Sequence, residues 1–131
     1  MKHSYLLLIG LFIALTGFAQ NKPLPAKTFV TLRDSTTSMD VVMMQGKGGS
    51  LSLEGRNVRL FNGFFENKTS DKFKAPQAGN IMWLINGREF ISGNYFLGDS
   101  TGYIIFTRDG KEYVNAITPS GTSFFKSQVK N

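Results

Sequence analysis

The chain has 131 residues, 15 Lys and Arg against 9 Asp and Glu for a net charge of +6, 12 phenylalanines, one histidine and no cysteine. Without cysteine there is no disulfide, thiol nucleophile or thiolate metal site. Because the one histidine, His3, lies in an export-like segment, the mature chain also lacks what a Ser-His-Asp triad or an ordinary zinc, copper or haem site requires.

The chain opens with Lys2, an apolar run over residues 5–15, and small residues at Gly17 and Ala19. That order is a signal peptide's, and the run is shorter than the ~20 apolar residues of a comfortable membrane span. The expected division is a signal peptide over 1–19, an extended leader over 20–27 and one domain over 28–131, secreted or periplasmic. No cysteine follows the apolar run, so the mature form is expected to carry no lipoprotein anchor and no membrane anchor. Loss of Lys2 leaves 14 basic residues against 9 acidic ones, a net +5 spread along the chain. A charge of that size serves solubility and permits an acidic partner without demanding one.

Pro23 and Pro25 mark the leader as extended. After it, β-branched and aromatic residues at 28–33 read as a strand, as does the apolar stretch 39–45. Residues 50–54 alternate strictly, with Leu51 and Leu53 on one side, and 57–61 alternate again. Asn62-Gly63, Asn86-Gly87 and Asp109-Gly110 each carry the residues that a two-residue hairpin turn prefers. Further strands are expected at 64–66, 81–85, 88–92, 95–97, 103–108, 111–118 and 122–128. No segment holds a sustained helical period. The expected fold is therefore all-β, a small antiparallel β-barrel of meander or OB-like type, because consecutive hairpins close a sheet and remove its edges. One long connection remains, 67–80, with Lys68, Lys72, Lys74, Pro76 and an isolated Phe73. Loops of that length are functional or disordered.

The surviving chemistries are few. Asp34, Asp40, Asp71 and Asp99 stand singly, as turn aspartates do, and form no calcium loop. Glu54, Glu66, Glu89 and Glu112 could in principle pair for glycoside hydrolysis, but strand-surface positions explain them more simply. Gly46, Gly48 and Gly49 lack the following helix and the Gly-Lys-Ser/Thr ending of a phosphate loop. No metal or cofactor is expected, nor catalysis. Phe61, Phe64, Phe65 and Tyr95 could stack on a single-stranded nucleic acid, as in an OB-fold. Core packing explains aromatics on alternating strands more often, and export removes the usual substrate, so no nucleic-acid partner is expected.

Three binding readings follow: a protease inhibitor, a barrel that holds a small apolar ligand, and a structural or cell-surface interaction module. The plan of export signal, Pro-containing leader, short strands and one long loop resembles the potempins, small secreted β-barrel protease inhibitors of Bacteroidota. The resemblance implies a monomeric binding protein that blocks a secreted endopeptidase. The expected contacts are Lys72, Phe73 and Lys74 in the long loop and Pro23, Leu24 and Pro25 in the leader. An exposed Phe between two lysines could fill a specificity pocket while the charges guide approach. Phe73 could equally fold back as a lid.

Overall fold

Residues 21–129 are described by the structure, a computed structural model. The export segment and the expected cleavage position lie outside them. Among the described residues no helix is long and apolar enough to cross a membrane.

Two of the three turn signals make hairpins. Asn86 and Gly87 have φ of 51° and 83°, and Asp109 and Gly110 have 53° and 74°, the positive pairs a type I′ turn requires. They join β3 (Gln77–Ile85) to β4 (Arg88–Leu97) and β5 (Gly102–Arg108) to β6 (Lys111–Ile117). Strands β3 to β6 form a meander. An earlier hairpin, β1 (Ser38–Met43) and β2 (Gly49–Glu54), extends it through β1 and β3. The sheet is antiparallel throughout, with strand order β2-β1-β3-β4-β5-β6.

Register sorts the side chains. Leu51, Val41, Ile81, Gly93, Phe106 and Tyr113 line up across the six strands on one face. Met39, Trp83, Tyr95 and Ile104 share that face and are buried. The opposite face carries Ser50, Val42, Asn80, Asn94, Ile105 and Val114 in the matching row. It is covered only toward β5 and β6.

The inner face is roofed by helices, not closed on itself. Three segments expected as strands are helical: 28–33 lies in α1 (Ala26–Ser35), 57–61 in α2 (Arg56–Asn62) and 122–128 in α3 (Pro119–Val129). Each buries residues three apart: Phe29 with Leu32, Val58 with Phe61, Thr122 with Phe125. That spacing puts each buried pair on one helix face. Thr118 caps α3, its hydroxyl accepting from the Gly121 N–H at 3.0 Å. Pro119 takes the first helical position, where its missing N–H costs nothing. Gly121 lets α3 approach closely, since a Cβ there would lie 2.6 Å from Phe64 Cβ.

The expected barrel is therefore wrong, and so is the all-β class. Strands β2 and β6 do not pair; each is an edge of an open sheet. Helices already remove the inner face from water, so the sheet has no need to close. The resemblance to the potempins rested on the barrel plan and falls with it. The small-ligand reading loses its barrel interior, since the space against the sheet is filled by Phe61, Phe65, Phe125 and Trp83 in mutual ring contact.

The third turn signal, Asn62-Gly63, is also a correction. Gly63 has φ of −66°, and Asn62 ends α2 with its side chain buried. Its Oδ1 accepts from Trp83 Nε1 at 2.8 Å, and its Nδ2 donates to the Leu32 carbonyl at 3.1 Å. This one amide ties α1, α2 and β3 together inside the core. A buried polar group is tolerated when it is bonded in this way.

Candidate functional site

The long connection crosses the outer face after bonding to β6. Phe65 pairs with Ile117 as an isolated bridge. The Glu66 N–H donates to the Ala116 carbonyl at 3.0 Å, and the Ala116 N–H to the Lys68 carbonyl at 2.9 Å. Farther on, the Phe73 ring stands edge-on to Tyr103, 4.8 Å between centroids. The Tyr103 hydroxyl donates to the Phe73 carbonyl at 2.9 Å, and Tyr103 in turn stacks on Phe96 at 4.9 Å. Phe73 is thus half-buried and held at both ring and backbone, while Lys72 and Lys74 on either side are exposed.

Beside this anchor runs an open groove of about 760 Å³. Phe73, Lys74 and Pro76 form one wall; Leu97, Asp99 and Lys126 form the other. The far wall is tied by two hydrogen bonds. The Gly98 N–H donates to the Thr101 carbonyl at 2.7 Å, and Lys126 Nζ, from α3, donates to the Asp99 carbonyl at 2.9 Å. The groove offers two ammonium groups, one carboxylate and apolar patches.

The leader runs beside the start of the same long connection, Asn21 Nδ2 donating to the Ser70 carbonyl at 3.4 Å. Leu24 is in the core, its N–H donating to Asn115 Oδ1 at 2.9 Å, and the Lys22 carbonyl accepts from the Val114 N–H at 2.7 Å. Pro25 is exposed and Pro23 half-buried. The leader trio is thus divided, with Leu24 in the core and Pro23 and Pro25 nearer the surface.

Titratable groups are dispersed. Among the described residues no three Asp, Glu or His side chains converge. The Arg33 guanidinium hydrogen-bonds Asp34 through two oxygens at 2.9 and 3.0 Å and holds its carboxyl below the usual carboxylate range, on a fully exposed surface. Burial pushes the Tyr95 phenol up to about 12.

A second surface was not visible in the sequence. Leu51 and Leu53 of β2, with Asn57, Leu60, Phe61 and Phe64, frame a small apolar cleft of about 190 Å³. Leu60 is 65% exposed, the most exposed large apolar side chain described. Reading 57–61 as a strand hid this feature. In a helix, Leu60 stands apart from the buried pair Val58 and Phe61, and an outward-facing Leu is the signal that could have revealed it. Compared with known protein families, with curated proteins and with solved structures, the chain matches none.

Proposed function

We propose that this chain is a non-catalytic protein-binding module delivered outside the cytoplasm, with the groove between loop 72–76 and turn 98–101 as its contact surface. One observation carries the reading: Phe73 is fixed to Tyr103 while Lys72 and Lys74 project from the same short segment. A loop fixed before contact loses little ordering entropy on binding, and exposed cations speed the encounter with an acidic surface. Phe73 then serves as the loop's anchor and the lysines as its contacts. The narrower version names a secreted endopeptidase as the partner.

The test titrates the chain against a panel of secreted endopeptidases and follows residual activity. Stoichiometric loss of activity is expected for at least one of them, relieved when Lys72 and Lys74 are both changed to Glu. Inhibition that the double substitution leaves untouched would move the contact away from this loop. Consumption of a substrate by the chain itself would overturn the non-catalytic reading.

A further inference from the structure

We propose that the free edge of β2, with the cleft beside it, accepts an extended segment of a partner protein as an added strand, apolar at its centre and acidic at its ends. This surface is separate from the groove at 72–76. Among the described residues strand β2 pairs only with β1. The Met44 N–H donates to the Ala78 carbonyl, and the Val42 carbonyl abuts Gly79, so the even-numbered residues of β1 face β3. The odd-numbered ones face β2, and alternation then turns the backbone groups of Ser50 and Ser52 away from β1, toward the open edge. An incoming strand would hydrogen-bond there, as in strand addition to other sheet edges.

Side chains set the occupant's chemistry. On the inner face Leu51 and Leu53 line the cleft with Leu60 and Phe64, so alternate residues of the incoming strand meet apolar surface. On the outer face they meet Ser50 and Ser52, of which Ser52 already donates to Asp40 at 2.8 Å. Charge frames the two ends. Lys47 precedes β2 and Arg56 follows it, with Glu54 the one carboxylate between them in sequence and Asp40 paired beside Ser52; Arg59, farther along α2, acts on Asp34 of α1. None of these three cations is in a salt bridge among the described residues. Arg56 is one helical turn before Leu60 and shares its side of α2.

These charges decide between occupants. A second copy paired antiparallel about Ser52 would set Arg56 beside Gly48 and Lys47 of its mate, cation against cation. A lipid surface would offer acyl chains to backbone groups that need hydrogen-bonding partners. An extended segment with carboxylates flanking an apolar centre satisfies the backbone, the cleft and the cations together.

The experiment uses two synthetic heptapeptides, Glu-Val-Thr-Val-Thr-Val-Glu and the same sequence with Lys at both ends, blocked at their termini. Titration followed by amide hydrogen exchange should show the acidic peptide slowing exchange at Ser50 and Ser52 and leaving β6 unchanged. Ser52→Pro, which an outward-facing edge position tolerates in the fold, should abolish this. Arg56→Glu, on an exposed helix face, should weaken the acidic peptide by about tenfold, as loss of one good ionic contact does, and improve the basic one. Equal binding of both peptides, or binding of neither, would overturn the proposal. So would a dimer in sedimentation that Ser52→Pro dissolves, or protection of Ser50 and Ser52 by anionic phosphatidylglycerol vesicles in place of peptide.

Discussion

The sheet's two edges are finished in opposite ways. At β6 the outer backbone groups are already taken: Val114 donates to Lys22, Ala116 to Lys68, and Ala116 accepts from Glu66. Asn115, fully buried, locks this cover in place by accepting from the Leu24 N–H and donating to the Glu66 carbonyl at 2.8 Å. At β2 nothing comparable among the described residues lies against the strand, and Gly49, Ser50, Ser52 and Glu54 are exposed. An uncovered edge invites pairing, and short length with nearby charge limits indiscriminate association. The contrast teaches that edge protection here is done by irregular chain and one asparagine, and that it is spent on one side only.

Breaking the covered edge should have the largest effect. Leu24→Ala removes a core side chain from the leader and should lower stability by about 3 kcal/mol, the usual cost of such a truncation. Urea unfolding followed by Trp83 fluorescence measures it. A change below about 0.5 kcal/mol, the range of neutral surface substitutions, would mean that the leader is not a structural cover. Asn115→Ala leaves a buried amide and carbonyl without partners and should cost about 2 kcal/mol in the same assay. Phe73→Ala removes an edge-to-face contact on the continuation of the β6 cover; it should cost about 1 kcal/mol and loosen Lys72 and Lys74. A core-sized loss of about 3 kcal/mol would make Phe73 primarily a lid. Least of all, Ser52→Lys on the open edge should stay within about 0.5 kcal/mol. Its effect should appear instead in strand addition.

How far these features were legible in the sequence depended on how local their causes are. Asn86-Gly87 and Asp109-Gly110 act through two residues' own backbone preferences, and the strands around them were placed correctly in outline. Asn62-Gly63 carries the same letters, yet Asn62 is recruited by Trp83 and Leu32, partners 21 and 30 residues away. Helices α1, α2 and α3 were missed because five to seven residues of mixed apolar and polar character fit a period of 2 nearly as well as one of 3.6. Their tertiary contacts decide the matter. The loop of Lys72, Phe73 and Lys74 stood out by composition, but only the fold shows that Tyr103 holds the phenyl ring. The β2 cleft was invisible, since it exists only once α2 is a helix.

The Leu24–Asn115 bond spans 91 residues. In kinetic terms it is a ring closure of most of the domain, and loop-closure entropy must be met before the contact contributes. The leader is made early and docks late. A chain shortened before Asn115 has no receptor for Leu24, so synthesis must pass Asn115 before this clasp can shut. The meander of β3 to β6, joined by tight turns, can form ahead of it from neighbours in sequence. Folding should therefore show a local phase that assembles the meander and a slower one that fastens the amino-terminal segment. The second phase should be the one altered in Asn115→Ala, which removes the acceptor of the Leu24 N–H.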